Sequence, residues 1–500
     1  LREAIAAIGD CEVLHKTEPR RHQLEGLAFA LWAERSLLFY DMRTGKTLIA
    51  LDWISYLIYS GLLTKKALVI AHAPIGADVW EQQIAEHSHL DVAIIRSGGD
   101  AQDRLLRALL DKRYHAVVVS WSTLQQAFGV QRTVARGSKT GRQKIYADLP
   151  ALREAARSID AVAIDEIHMA GHHETLRFRI ASELVAHSRW RLGLTGTPFG
   201  RNPLLLWGQA YLMDGGATLG RSFYFFRECF CNAKWNPFSR SFSDFTFDDN
   251  KLPLLRDKMR AMSLHCALSE VQDVNVLKGV VRLTMSDEQA QAYDEAVNKL
   301  VQLRIGNTVE IDSVFVRLRQ IASGFLPFDN EAGERRVIDF PDAAKFVWLG
   351  DLLDDPDTIG DMQIAIMHEF IHTGERICKL LDERRLSYDW LHGSTKDRPQ
   401  LLERFKSGQT QILVANTATG GMSIDLSTAD YLLFFESTAS VIVRRQAEAR
   451  PLARGSRPLV MDDLVCAPIE QKLLNFLDQG EGLREALLRH PQDMAEQLRR

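Results

Sequence analysis

The residues best equipped for chemistry stand in two short stretches. In LLFYDMRTGKTLIALDWI, Leu37 to Ile54, an apolar run meets Thr44-Gly45-Lys46-Thr47 and an amphipathic stretch follows. That is the composition of a loop whose backbone N–H groups and lysine hold phosphate oxygens at a helix N-terminus. The full pattern has a further glycine at the place of Tyr40, and a second is often found where Arg43 stands. In AVAIDEIHMAG, an apolar run closes on Asp165-Glu166. Hydrolysis of a nucleoside triphosphate needs a strand-end carboxylate that holds Mg²⁺ with the loop's hydroxyl, and a second group that orients water. Thr47, Asp165 and Glu166 suit those tasks. A turn rich in acids is the plain alternative, and it must also account for His168 and for the loop upstream.

Four further strings lie along the chain. Arg21 and Gln23 in EPRRHQLEG precede the loop, where an amide can bond both edges of adenine. LGLTGTPFGRNP runs an apolar stretch into Thr195-Gly196-Thr197-Pro198. In the second half, ILVANTATGGMSIDLSTADYLLFFE is followed by VRRQAEARPLARG, where Gln446 stands with two arginines, Arg450 and Arg454, that offer the positive charge phosphoryl transfer requires.

These residues need elements to hold them. From residue 20 to about 200, the runs RSLLFY, KALVIAHA, YHAVVVSW, DAVAIDE and WRLGLTGT read as buried strands alternating with amphipathic helices. Such alternation predicts a parallel sheet with helices on both faces. It resumes after about 345 with QIAIMHEF, SYDWLH, TQILVAN, DYLLFFE and PLVMDDLV. Between them strand-like runs thin out and a long helix, DEQAQAYDEAVNKLVQL, is expected. FDNEAGERRVIDFPDAAK reads as a linker and the last twenty residues as an amphipathic helix interrupted near Pro491. The expected division is therefore 1–205, a mostly helical insert and linker at 206–340, and 341–500: an α/β chain with two parallel-sheet lobes in tandem.

Composition narrows the class. The net charge of −4 excludes a basic nucleic-acid coat protein, although residues 132–144, RTVARGSKTGRQK, carry five Lys/Arg and no acid. That stretch reads either as a solvated, flexible loop or as a contact for a phosphate backbone. The longest apolar runs are far shorter than the ~20 residues of a membrane span. The 6 cysteines are too sparse for a disulfide scaffold and fit a reducing cytosol or nucleus. Cys229, Cys231, His265 and Cys266 could in principle gather round zinc, but the Cys-x-Cys spacing is poor for it, and buried cysteines in an aromatic helix, RSFYFFRECFCNAKW, are the reading adopted.

Taken together and in this order, the strings resemble those of superfamily-2 helicase-like ATPases related to the DEAD/DEAH-box proteins, and among them the Swi/Snf-type DNA translocases. RRHQLEGL is similar to the adenine-recognition motif, DMRTGKT to motif I, AHAP to Ia, VVVSWSTL to Ib, DEIH to II, LTGTP to III, TGGMSIDL to V and QAEARPLAR to VI. The Swi/Snf leaning rests on RLRQIASGF, on the insert after motif III and on LHGSTKDRPQLLERF.

The resemblance implies two RecA-like lobes and an ATP- and Mg²⁺-dependent motor on nucleic acid, above all duplex DNA. Arg21, Gln23, Arg43, Thr44, Gly45, Lys46, Thr47, Gly421 and Asp425 would bind nucleotide. Thr47 and Asp165 would hold the metal. Lys46, Asp165, Glu166, Gln446, Arg450 and Arg454 would serve hydrolysis. Nucleic acid would meet His72, Ala73, Pro74, Ser120, Trp121, Ser122, Thr123, His392, Gly393, Ser394, Thr417 and Thr419. The chain departs from the family pattern at Tyr40 and Arg43, at Ser423 and Asp425, and in the wider spacing of Arg450 and Arg454. It is expected to be a compact bacterial or phage-like member working in the cytoplasm, recruited by protein partners or by DNA shape. An RNA or single-strand helicase, a nucleotide-gated binding module with weak hydrolysis, and the motor subunit of a defence complex are the competing readings.

Overall fold

Short runs of β-branched and aliphatic residues, buried on both faces, build the centre of each half of the chain, as parallel sheets require. The computed structural model describes residues 16–479 and 496–498, except 73, 137–138, 199–202, 237–240, 272–274, 303–307, 330–333, 356–359, 361, 396, 421–423 and 453–457. Its contacts divide the chain into two compact units, 1–272 and 273–500.

In the first unit the strands are β1 (Arg35–Tyr40), β2 (Lys66–Ala71), β3 (Val92–Ile95), β4 (Ala116–Ser120), β5 (Gly129–Arg136), β6 (Lys139–Ala147), β7 (Ile159–Asp165), β8 (Trp190–Leu194), β9 (Cys231–Asn236), β10 (Ser241–Phe247) and β11 (Ser263–Cys266). Seven of them form one parallel sheet in the order β11-β1-β8-β7-β2-β4-β3. The expected strands are all present. β3 and β11 escaped notice because each is only four residues long and lies at a sheet margin. The pairs β5–β6 and β9–β10 are separate antiparallel ribbons. Apolar clusters cover both faces of the sheet, one around Leu37, Phe39, Val119 and Ile164, the other around Leu38, Trp53, Val69 and Val118.

The second unit holds β12 (Val276–Arg282), β13 (Phe325–Asp329), β14 (Arg335–Asp339), β15 (Ile364–His368), β16 (Tyr388–Leu391), β17 (Ile412–Asn416), β18 (Tyr431–Phe434) and β19 (Leu459–Val465). Its six-stranded parallel sheet runs β12-β19-β18-β15-β17-β16. Both sheets are RecA-like, and the chain is an α/β protein of two such lobes.

The stretch 206–340 is shared between the units. Helices Leu205–Asp214, Phe223–Phe230 and Leu252–Met259 send Leu206, Trp207, Phe226 and Leu255 into the first unit's core. Helices Asp287–Gln302 and Thr308–Ala322 send Tyr293, Ile311, Phe315 and Leu318 into the second's. Each set therefore serves as an outer layer for its own sheet. Two local expectations change. The aromatic helix ends at Phe230, so buried Cys231 begins β9 while Cys229 is exposed. The expected linker contains β14 and the end of β13, because Arg335 to Asp339 pair along their whole length with Phe325 to Asp329. The expected C-terminal helix falls almost wholly outside the described residues.

Helix Ala344–Asp354 is tied to its sheet by a fully buried lysine. Lys345 Nζ donates to the Phe435 carbonyl at 2.7 Å and pairs with the Glu470 carboxylate. Burial by itself would lower the lysine's pKa, but the facing Glu470 charge outweighs it and the net shift is upward. Its contribution to stability is therefore complete below the unfolded pKa of about 10.4 and is lost as pH rises through the higher folded value. Lys345→Ala, which strands a buried carboxylate, is expected to destabilise the second unit by about 3–5 kcal/mol, read by urea unfolding at neutral pH.

Candidate nucleotide and nucleic-acid site

Parallel pairing brings the functional strings to one edge. Registers such as Leu38↔Leu194, Asp165↔Leu194, Ile70↔Ile164 and Ala71↔Ser120 align the C-terminal ends of β1, β8, β7, β2 and β4. Ligands of open α/β sheets bind at this edge. The phosphate loop, Thr195–Pro198, Asp165–His168, His72 and Ser120–Thr123 all emerge there.

β1 ends at Tyr40 and helix Lys46–Tyr59 begins immediately after Gly45, so the loop caps a helix N-terminus. Gly45 has φ +82°, and an added Cβ would sit 2.0 Å from Gln23 Nε2. Only glycine fits both demands. Lys46 Nζ donates to the carbonyls of Tyr40 at 2.8 Å and Asp41 at 3.0 Å. His22 Nε2 lies 2.8 Å from the Thr44 carbonyl, which also accepts from Gln23 Nε2 at 3.2 Å. Gln23 Oε1 accepts from the Arg20 amide at 2.7 Å. Both ends of this buried amide thus cap the helix Arg21–Ala33 and hold the loop, rather than facing outward for a base.

Tyr40, standing at the place of the absent glycine, points inward. Its hydroxyl donates to the His22 carbonyl at 2.9 Å, and Gly26 leaves it room, since a Cβ there would come 2.9 Å from that oxygen. Arg43 takes the left-handed conformation, φ +67°, at the position where the family has glycine. Gly196 presses on the loop, within 3.2 Å of the Met42 amide if given a Cβ.

Asp165 and Glu166 stand side by side at the end of β7, largely enclosed but each with some surface left open. Asp165 accepts from Trp80 Nε1 at 3.2 Å and from the Glu166 amide at 3.1 Å. Glu166, with φ +48°, accepts from Thr195 Oγ1 at 3.0 Å and lies 3.2 Å from His168 Nδ1. Thr195 Oγ1 is also 2.9 Å from His168 Nδ1 and accepts from the Thr197 amide. With the threonine proton directed at Glu166, His168 faces Thr195 through a protonated Nδ1. Burial and then the Glu166 charge push the Asp165 carboxyl up. Burial also pushes Glu166 up, but the His168 hydrogen bond and the Lys46 charge outweigh it and bring that carboxyl down. Two adjacent, largely enclosed carboxylates that feel the Lys46 charge are hard oxygen donors that suit Mg²⁺, and the loop N–H groups with Lys46 suit phosphate. The residues present therefore fit a metal–nucleotide pair.

The remaining expected contacts vary in their surroundings. His72 lies with Nδ1 2.7 Å from Met169 Sδ, within the motif II turn. Ser120 caps helix Trp121–Phe128 and bonds Thr123; Ser120, Trp121 and Thr123 are buried, which leaves Ser122 exposed. Gly393 and Ser394 are exposed after β16, with Ser394 Oγ 3.0 Å from His392 Nδ1. Thr417 is fully buried and donates to the His368 carbonyl. Asp425 pairs with Lys406 at 3.0 Å, Gln446 is buried and Arg450 is half-buried at the end of helix Val441–Ala449. Arg21 is exposed and bonded to Glu25. Ala73, Gly421 and Arg454 lie outside the described residues, as do the side chains of Pro74 and Thr419. Beside helix Arg21–Ala33 a cavity of about 1280 Å³ is lined by Arg21, Glu25, Trp32, Tyr56 and His265, but not by Lys46, Thr47, Asp165 or Glu166. Trp80 and Gly26 were missed by sequence reasoning: only the register of β7 against its neighbours and the inward turn of Tyr40 show that they matter.

Residues 22–323 match the SNF2-related domain, and residues 344–454 match the helicase conserved C-terminal domain. Protein p41 of Acyrthosiphon pisum secondary endosymbiont phage 1 is 23% identical over 94% of this chain and 98% of its own length. The SWI/SNF-related matrix-associated actin-dependent regulator of chromatin subfamily A-like protein 1 of Xenopus laevis is 24% identical over 67% of this chain, which spans only 34% of that relative. The Sulfolobus solfataricus SWI2/SNF2 ATPase core in complex with dsDNA is 18% identical, covering 96% of this chain and 95% of that one, with a TM-score of 0.39. The core domain from the same organism gives 19% identity, coverage of 96% and 92%, and a TM-score of 0.40.

Arg43 carries a conformational strain that glycine would not. Arg43→Gly is expected to relieve about 1 kcal/mol of left-handed strain, less the entropy that glycine loses on folding. The net effect, a melting temperature unchanged or raised by a few degrees, is read by thermal unfolding; a clear fall would mean that the arginine side chain holds the loop together.

Proposed function

This chain belongs to the SNF2-related family of helicase-like ATPases, and we propose that it is an ATP-driven motor that moves along duplex DNA. The observation that carries this reading is the grouping, at one sheet edge, of the phosphate loop, the Asp165–Glu166 pair and the Thr195 hydroxyl that bonds Glu166. A protein that only bound nucleotide would not need a second, largely enclosed carboxylate held in this way.

In this reading the loop amides and Lys46 receive the phosphates, exchanging the lysine's bonds to its own loop for bonds to phosphate oxygens. Thr47 and Asp165 hold Mg²⁺, which when bound offsets the charge that develops on the transferred phosphoryl group. Glu166, kept ionised by His168 and Lys46, orients the attacking water and takes its proton. Thr195 fixes the rotamer of Glu166 and links it to the Thr197 amide, so that the state of the nucleotide is felt in the stretch that follows β8. Arg450 and Arg454 would supply the positive charge that phosphoryl transfer uses, and Gln446 a neutral amide. Arg21, Gln23, Arg43, Gly421 and Asp425 complete the nucleotide contacts, Gln23 through the loop it braces. Ser122, Gly393 and Ser394 are the exposed candidates for the sugar-phosphate backbone; such contacts position a strand without reading its sequence.

A nucleotide-gated binding module with weak hydrolysis is the second reading, favoured by the left-handed Arg43 and by a Gln23 whose amide is occupied at both ends. Steady-state ATP hydrolysis without nucleic acid and with single-stranded DNA, duplex DNA or RNA separates the readings. The expected result is strong stimulation by duplex DNA that Lys46→Ala reduces by about a hundredfold or more. Stimulation by RNA or single strands alone would move the protein to a helicase on those substrates. ATP binding with no turnover on any of them would favour the module. Thr195→Val is expected to lower turnover about tenfold while leaving ATP affinity unchanged, the loss of one hydrogen bond to a charged group.

A further inference from the structure

The stretch of positive charge after motif Ib takes a definite form. Gly129–Arg136 and Lys139–Ala147 pair as the antiparallel ribbon β5–β6, which pairs with no other strand among the described residues. Its base is fixed: the Asp148 amide donates to the Phe128 carbonyl at 2.8 Å, and a Cβ on Gly129 would lie 2.3 Å from the Gln125 carbonyl. Glycine there lets the ribbon leave helix Trp121–Phe128 at close quarters. Near the base, Val130 and Ile145 occupy opposite faces by register and are 37% and 54% exposed, so at the base both faces are open to solvent.

Strand register sorts the charges. Arg132 pairs with Lys144 and Val134 with Arg142, so these positions share one face with Val130 and Tyr146. The other face carries Gln131 opposite Ile145 and Thr133 opposite Gln143, without a charge. Beyond a bulge, Arg136 stands opposite Lys139 near the tip. No acid occurs between Gly129 and Ala147, in a chain whose net charge is −4. Like charges placed directly opposite destabilise a two-stranded ribbon, and an isolated ribbon is marginal to begin with. Arg132 opposite Lys144 is therefore an arrangement that folding alone does not favour and that a polyanion would relieve. Successive pairs on one face repeat at about 7 Å, close to two 3.4 Å steps along one strand of a duplex.

We propose that the β5–β6 ribbon is a grip for the phosphate backbone of a nucleic-acid duplex, applied through the face that carries Arg132, Arg142 and Lys144. The proposal rests on the motor reading and adds to it a contact surface outside the shared motifs. Because the ribbon follows the helix capped by Ser120, it holds the duplex next to the expected motif Ib contacts without reading sequence.

The test uses the full chain and a short fluorescein-labelled DNA duplex of mixed sequence, with binding followed by anisotropy across a salt series. The triple variant Arg132→Gln, Arg142→Gln, Lys144→Gln is expected to keep its melting temperature and to bind about a hundredfold more weakly at about 0.1 M salt. The plot of log affinity against log salt should become shallower by about 2–3, near 0.9 for each phosphate that the variant no longer neutralises. A control altering the other face, Gln131→Ala, Thr133→Ala, Gln143→Ala, should bind as the unaltered chain does. Equal affinity and slope in the charge variant would overturn the ribbon proposal and leave the motor reading standing. Equal weakening in both variants would overturn it as well, since the charged face would then have no special part. Failure of the unaltered chain to bind or respond to duplex DNA would remove the motor reading and the ribbon with it.

Discussion

Two adjacent, largely enclosed carboxylates at the end of one strand set the terms for the rest of the N-terminal unit. A charge pair of like sign out of water is unfavourable unless donors and cations are brought to it. Here they come from separate places in the sequence: Trp80 from the helix after β2, Lys46 from the phosphate loop, His168 from the turn beyond, and Thr195 from the end of β8. The sheet order lets those groups converge. β8 lies between β1 and β7, so the loop and the carboxylates are separated by the one strand whose terminal threonine bonds Glu166.

The departures of the phosphate loop become understandable in the same terms. Tyr40 does not crowd the nucleotide side, because its ring turns into the core and its hydroxyl reaches the His22 carbonyl through space that Gly26 leaves. A glycine missing from one string is thus matched by a glycine present in another. Arg43 keeps the backbone conformation of the glycine it replaces and bears the strain. Gln23 ties both strings together by packing against Gly45.

Much of this was legible from residues alone. The central strands of both sheets were visible as apolar runs, and GKT, DE and TGT could be read as standing where strands of the first sheet end. Three edge strands were not, β3, β11 and β12: β12, VLKGVVR, has one open side, so its mixed burial hides it among charged loops. The insert also misled, since helices that serve as outer layers look like a domain until their apolar faces are seen to share a core with one sheet or the other. The side chains offered for nucleic acid were chosen by string, and strings do not register that Trp121 and Thr417 would be fully enclosed. Gln23 shows the same limit: its type suits adenine, but its neighbours decide what its amide bonds.

β11 is the last strand of the first unit, and it lies against β1 directly beneath the phosphate loop. The Asp41 amide donates to the Cys266 carbonyl, and the Asp41 carboxylate accepts from the Leu268 amide. The chain passes into the second unit only a few residues later, at 272–273. The end of the first unit is therefore moored, through two hydrogen bonds at Asp41, to the loop proposed to receive phosphate, and a shift of that loop would disturb both.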